Sequence, residues 1–218
     1  ANLKQLEADR QLLLAGISHD LRTPLTRLRM ETELSVSDAE ARTGMEADIA
    51  EMDRTIGQFL DFARPQSLEG RTPEPTDLAV MLDEIAGRYG DKVRRLAGAD
   101  FRLPVHPEPL RRAIVNLIEN ALRHAGPGDN HTPVEVELLR EDGNAVIAVL
   151  DRGPGIAPHE VDRLKQPFMR GEAARTGAGG AGLGLSIVER IASAHRGRLE
   201  LLPRAGGGLA ARIVLPAS

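Results

Sequence analysis

Cysteine and tryptophan are both missing from the 218 residues, and aromatic side chains make up only 2% of them. Without cysteine there are no disulfides, no thiolate metal sites and no cysteine nucleophile. So few aromatics leave no base-stacking platform for single-stranded nucleic acid. An excess of one charge is also missing. With 28 basic and 32 acidic residues the net charge is −4, which gives no basic face, so no nucleic-acid partner is expected. No apolar run reaches the roughly 18 residues of a membrane-spanning helix, and there is no signal-peptide pattern. The chain opens without Met, inside the helix-like pattern Asn2-Leu3-Lys4-Gln5-Leu6-Glu7. It reads as a piece of a longer protein whose membrane anchor, if any, lies upstream.

What is present divides into two parts. Leu14, Ile17, Leu21, Leu25 and Leu28 fall on one helical stripe, with Pro24 inside it, where the lost backbone donor predicts a kink. Met45, Ile49, Met52, Ile56, Phe59 and Ala63 alternate by four and three residues, the seam of a second helix. Ser37 with Glu40 reads as its capping box, and Arg64-Pro65 as its end. A hairpin of about 63 residues is marginal as a monomer. Its seams are covered either by a second copy, making a four-helix bundle about a two-fold axis, or by the rest of the chain. Residues 65–76, with Pro65, Gly70, Pro73 and Pro75, read as a linker.

From Asp77 the pattern is mixed α/β. Leu78, Met81, Leu82 and Ile85 predict one helix, and Leu110, Ile114, Leu117, Ile118 and Ala121 another. Val134, Val136 and Leu138 alternate with Glu135 and Glu137 as a half-buried strand, which turns at Asp142-Gly143-Asn144 into a strand over 145–150. A helix from about Leu183 to His195 is closed by Gly197, and two last strands flank Gly206-Gly207-Gly208.

Four constellations carry chemistry. In Ser18-His19-Asp20-Leu21-Arg22-Thr23-Pro24-Leu25, His19 offers a neutral nucleophilic nitrogen near pH 7. Asp20 lies beside it, able to orient the ring and take a proton, and Thr23 is one turn on along the same face. In Asn116-Leu117-Ile118-Glu119-Asn120-Ala121-Leu122-Arg123-His124, the two carboxamides stand one turn apart, suited to Mg²⁺, with Arg123 near the same line to neutralise a phosphate. A solvated polar face would read the same way. Asp151-Arg152-Gly153-Pro154-Gly155-Ile156 follows a strand. It is either a tight turn or an aspartate that accepts from an exocyclic amine, with glycines allowing close backbone approach. Gly177 to Leu185 is glycine-rich and runs into a helix, the makings of an anion site, although a flexible linker looks alike. It lacks the Gly-Lys-Ser/Thr ending of a P-loop.

Their order along nearly the whole chain resembles the sensor histidine kinases of two-component systems, most of all those of the EnvZ type. Ser18 to Pro24 is similar to the H-box of that family, Asn116 to His124 to the N-box and Asp151 to Ile156 to the G1 box. Pro167-Phe168-Met169-Arg170 is similar to the F-box, and Gly180 to Leu185 to the G2 box. The resemblance implies an α+β chain of two domains. Residues 1–64 would be a dimerisation and phosphotransfer hairpin, pairing as a four-helix bundle in a homodimer. Residues 77–218 would be an ATP-binding α/β sandwich of the GHKL (Bergerat) type shared with gyrase and MutL, with a lid over about 169–181. The activity implied is autophosphorylation of His19 from Mg-ATP, transfer to an aspartate in the receiver domain of an OmpR-type response regulator, and dephosphorylation of that regulator. Asp20 would be the acid/base partner of His19. Asn116 and Asn120 would hold Mg²⁺, and Asp151 would read adenine, flanked by Gly153, Gly155 and Ile156. Arg123, His124 and the backbone of Gly180, Gly182, Leu183, Gly184 and Leu185 would meet the phosphates. Arg170 would approach the γ-phosphate. The chain would be the cytoplasmic part of a bacterial inner-membrane protein. Two positions depart from the family pattern. Lys165 stands where a second Phe is common, which predicts looser packing beneath the lid. Ala181 stands where Ser or Thr is common, which removes one hydroxyl near the phosphates.

Overall fold

The computed structural model describes residues 20–63, 68, 72–124, 132–170 and 181–217. The chain divides into two compact units, Ala1–Pro65 with Gly179–Leu183, and Gln66–Ala178 with Gly184–Ser218.

The first unit is a helical hairpin. α1 covers residues 20–35 of the described chain and runs through Pro24 as uninterrupted helix. α2 is Ala39–Ala63, ending just before Arg64-Pro65 as the sequence predicts. Its cap is Asp38 rather than Ser37: the Asp38 Oδ1 accepts from the backbone N–H of Ala41 at 2.8 Å. A carboxylate at this position meets the free amides and positive pole of the helix start, and an acidic side chain does so better than a hydroxyl. Arg22 Nε pairs with Asp53 Oδ1 at 3.3 Å across the hairpin, with both side chains more than half exposed. Such a pair contributes about 0–1 kcal/mol. Apolar packing is sparse here. Ile49, Leu60 and Ala63 are buried, whereas Leu21, Leu28, Met30, Leu34, Met45, Met52 and Phe59 are exposed. Leu14 and Ile17 lie outside the described residues.

The second unit is a sheet covered by helices. β1 (Glu74–Asp77) pairs antiparallel with β3 (Arg102–Val105). The five-stranded sheet has the order β2 (Val93–Arg95), β4 (Val134–Glu141), β5 (Asn144–Leu150), β7 (Leu209–Leu215), β6 (Arg198–Pro203), with only the β2–β4 pair parallel. The helices are α3 (Leu78–Gly87), α4 (Pro107–His124), the short α5 (Val161–Leu164) and α6 (Gly184–Ala194). Every apolar position predicted for α3 and α4 is buried: Leu78, Met81, Leu82 and Ile85 in one, Leu110, Ile114, Leu117, Ile118 and Ala121 in the other. Asp77 caps α3, its Oδ1 accepting from Ala79 at 3.0 Å and Val80 at 3.1 Å. Among the described residues no helix is long and apolar enough to cross a membrane.

Three details differ from the sequence expectation. Residues 74–76, read as the end of the linker, form β1 together with Asp77. Glu135, read as the outward residue of a half-buried strand, is buried. At the end of α6 the left-handed residue is Arg196 (φ 59°), while the Gly197 N–H closes the helix on Ala192 O at 2.8 Å. A side chain at Gly197 would collide with Val214 O, which is why glycine stands one position beyond the expected place.

Candidate functional site

β5 ends on Asp151, which is only 5% exposed. Its backbone N–H donates to Leu209 O at 3.0 Å, continuing the β5–β7 ladder one step past the strand. Its Oδ1 accepts two backbone N–H groups, from Gly153 at 2.8 Å and Leu209 at 3.1 Å. Among the described residues Oδ2 has no hydrogen bond. The carboxylate is therefore fixed through one oxygen and presents the other as an acceptor. Gly153 lies against the last turn of α4, where any side chain would strike the backbone oxygen of His124. That contact is why the Asp-x-Gly spacing matters: the chain has to pass directly over the helix end. Gly155 (φ 74°) and Ile156, half-buried, carry the segment onward.

α4 holds the carboxamides. Asn116 and Asn120 are both half-buried, on the edge of the helix between its buried stripe and solvent. The Asn116 Nδ2 donates to Arg112 O at 3.0 Å, which commits one amide hydrogen and leaves Oδ1 as the outward acceptor. That oxygen faces Gly184, the first residue of α6, where a Cβ would sit 3.6 Å away. A neutral carboxamide oxygen is a ligand a hard cation takes, and the helix start beside it favours the phosphate that shares the cation's shell, so the residues present fit Mg²⁺. His124, at the end of α4, is pushed below the ordinary imidazole pKa. Burial is the main cause, followed by the cation of Arg123. Asp151 partly offsets this, and Arg170 adds to it. Electrostatics thus place Arg123, His124, Asp151 and Arg170 in one neighbourhood within the second unit.

Gly182 (φ 68°) and the buried Leu183 lead into Gly184 and the half-buried Leu185 at the first turn of α6. Gly180 and residues 171–179, most of the expected lid, lie outside the described residues, as does His19. Asp20 and Thr23 are exposed on α1. The structure thus brings together the residues of the second, third and fourth constellations that belong to the α/β unit. Those of the first belong to the hairpin.

Lys165 is not loosely held. Its Nζ donates to Leu199 O at 2.7 Å and lies 3.5 Å from Glu189 Oε2, tying α5 to β6 and α6 by polar links where an aromatic would pack. Sequence reasoning placed the turn between β6 and β7 but missed its part in the site. Leu209 supplies one of the two amides on Asp151, and Arg204 Nη1 donates to Asp151 O at 3.2 Å. The run Gly206-Gly207-Gly208 was the available signal: Gly208 (φ 106°) leaves no room for a side chain against Asp151 O.

Comparison with known proteins agrees with this geometry. Residues 105–218 match the family model for the histidine kinase-, DNA gyrase B- and HSP90-like ATPase, and residues 9–68 match that for the His Kinase A (phospho-acceptor) domain. The chain is similar to the sensor protein RstB of Escherichia coli (strain K12), 37% identical over 215 residues, covering 91% of this chain and 47% of RstB. It is 31% identical over 230 residues to the sensor-like histidine kinase SenX3 of Mycobacterium tuberculosis (strain ATCC 25618 / H37Rv), covering 98% of this chain and 55% of SenX3. Among solved structures, full-length ShkA in complex with AMPPNP is similar at a TM-score of 0.65 and 26% identity, over 94% of this chain and 45% of ShkA. The histidine kinase domain of the Escherichia coli osmosensor EnvZ is similar at a TM-score of 0.50 and 35% identity, over 69% of this chain and 92% of that domain. The fold is that of the histidine kinase-, DNA gyrase B- and HSP90-like ATPase family joined to a His Kinase A domain. The chain belongs to the sensor histidine kinase family. It spans about half the length of the curated relatives it matches.

Proposed function

We propose that this chain is the signalling core of a sensor histidine kinase, which binds Mg-ATP in its α/β unit and moves the γ-phosphoryl group onto His19 of its hairpin. The observation that carries this is the Asp151 carboxylate, anchored by two backbone amides through Oδ1 and offering Oδ2 beside the glycine-lined end of α4. A fixed acceptor on a buried residue discriminates an exocyclic amine strongly, because an unmatched ligand leaves it unpaired. Asp151 therefore selects adenine. Asn116 and Asn120 hold Mg²⁺, which supplies charge neutralisation on the polyphosphate when bound. Arg123 and the amides at the start of α6 take the remaining negative charge. His124 is held neutral near pH 7 and so donates to a phosphate oxygen without adding charge.

In the transfer, a neutral imidazole nitrogen of His19 attacks the γ-phosphorus. The N–P bond forms as the bond to the β-phosphate bridging oxygen breaks, ADP leaves, and Asp20 accepts the ring proton. Arg170 approaches the γ-phosphate. The phosphoryl group then passes to an aspartate in the receiver domain of an OmpR-type response regulator, and the same core dephosphorylates that regulator, with Thr23 orienting the water. Residues 1–64 form the homodimer, residues 74–218 with β1 the catalytic domain and residues 65–73 the linker between them. The dependence on ATP puts this core in the cytoplasm, on the inner face of a bacterial membrane reached through segments outside these residues.

Incubation with γ-labelled ATP and Mg²⁺ tests the reading. Acid-labile, base-stable label on the chain marks phosphohistidine, and Asn120→Asp, which sets a carboxylate beside the polyphosphate, should remove it. Release of inorganic phosphate with no label on the chain would describe an ATPase instead, and undiminished labelling by Asn120→Asp would take that residue out of the site.

A further inference from the structure

Asp151 does not hold its own position. The β6–β7 turn grips it, and the Arg204 guanidinium ties that turn to the Asp151 backbone carbonyl. Arg204 is nearly buried, with its side chain 12% exposed, and it forks. One arm donates to Asp151 O at 3.2 Å, and the other pairs with Glu135 Oε2 near the start of β4. The Glu135 side chain is 9% exposed and also takes Arg94 on its other oxygen. The hydrogen bond from Arg94, opposed by burial and supplemented by Arg204, keeps this carboxyl below its ordinary range, so it stays charged. The Arg204 main chain closes the same turn, its N–H donating to Gly208 O at 3.0 Å and its carbonyl accepting from Gly207 at 3.0 Å. From the other side, Arg152 Nη1 donates to Ala205 O at 2.8 Å and Gly207 O at 3.3 Å. The consequence falls on Leu209, whose N–H is one of the two donors that orient the Asp151 carboxylate.

We propose that Arg204, anchored on Glu135, is a positioning residue for nucleobase selection: it locks the β6–β7 turn so that Leu209 N–H and Asp151 O fix the aspartate at the angle that meets the exocyclic amine of adenine. This rests on the assignment of Asp151 as the adenine acceptor. An ion pair buried this deeply is weak evidence of stability, since an apolar pair of similar volume commonly does as well, and its use lies in fixing geometry. A guanidinium is needed because only a planar fork donates in two fixed directions at once. An ammonium is a single point charge.

The test uses the full chain and two nucleotides, ATP and purine riboside triphosphate, which lacks the 6-amino group, titrated calorimetrically. Wild type should prefer ATP. Arg204→Lys keeps the charge opposite Glu135 but loses the fork. It should weaken ATP by about tenfold, the scale of one well-aligned hydrogen bond, and leave purine riboside triphosphate unchanged. Glu135→Leu combined with Arg204→Met removes the pair without leaving a buried charge, so it keeps the question open should the lysine variant not fold; the same selective loss is expected. Wild-type preference for ATP in either folded variant would overturn the role of Arg204 while leaving Asp151 as the adenine reader. Equal weakening of both nucleotides would make the pair merely structural and overturn the proposal as well. Equal binding of the two nucleotides by wild type would show that Asp151 does not read the amine, and the proposal would fall with it.

Discussion

The hairpin and the α/β unit solve the burial problem differently. In the α/β unit the large apolar side chains of α3, α4 and α6 are almost all buried, and only Val80, Phe168, Met169 and Leu202 among the described large hydrophobics are well exposed. In the hairpin the proportion is reversed: Leu34 is 82% exposed and Met52 49%, and four of the six seam residues of α2 are not buried. One unit closes its core from its own chain. The other leaves its seam open, as the proposed homodimer requires. The unit proposed to bind nucleotide closes its own core, and the hairpin proposed to carry the phosphoacceptor leaves its seam open.

Two substitutions sharpen this contrast. Met52→Glu puts an unpaired charge on the open seam and should cost several kcal/mol of association. Sedimentation should find monomer or aggregate, and an unchanged dimer would move the interface elsewhere. Ile114→Ala empties a fully buried site in α4 and should cost about 2–5 kcal/mol of α/β stability. Urea unfolding of that unit should not depend on protein concentration. If it did, the claim that this unit is self-contained would fail.

The division was mostly legible in advance. Amphipathic period alone marked α3 and α4, and β4, the Asp142-Gly143 turn and β5 followed from alternation and turn chemistry. What stayed hidden was set by tertiary pairing. β1, β2 and β3 are three or four residues long, and they include Pro75 and Pro104 facing each other and the cationic pair Arg94-Arg95. No local pattern distinguishes such segments from loop. Glu135 looked like an outward residue because its burial depends on Arg94 and on Arg204, sixty-nine positions away. At the site, Asp151 and the carboxamides could be named from motif order, while the amide of Leu209 could not, because backbone donors leave no signature in side-chain identity.

Within the hairpin, Thr23→Ala should separate two activities. Labelling of His19 and transfer to the regulator should persist, while decay of the regulator's aspartyl phosphate slows by about tenfold, equivalent to about 1.4 kcal/mol of barrier. The readout is decay of phosphorylated regulator after ATP is removed. Decay at the wild-type rate would make Thr23 a packing residue.

The smallest effect belongs to the α/β unit. His195 Nε2 accepts from the His106 N–H at 3.0 Å, and its Nδ1 lies 2.8 Å from Ile191 O. Both bonds hold only in the neutral ring with the proton on Nδ1. Burial, reinforced by His106, pushes this imidazole below its ordinary pKa, against the two backbone hydrogen bonds. The folded state therefore resists a proton that the unfolded chain accepts. The stabilisation is fully present above about pH 6.5 and is lost as pH falls from there through the folded value. Urea midpoints from pH 7.5 down to 5.5 should fall more gently in His195→Gln than in wild type. Parallel curves would remove His195 from the account.

The division of labour itself is tested most directly by His19→Gln, assayed beside wild type with γ-labelled ATP and by nucleotide titration. The wild-type chain should acquire acid-labile, base-stable label. The variant should acquire none while binding ATP within a few-fold of wild type, because the acceptor belongs to one unit and Asp151, Asn116 and Asn120 to the other. Label that survives in His19→Gln, or ATP binding lost with it, would contradict that separation.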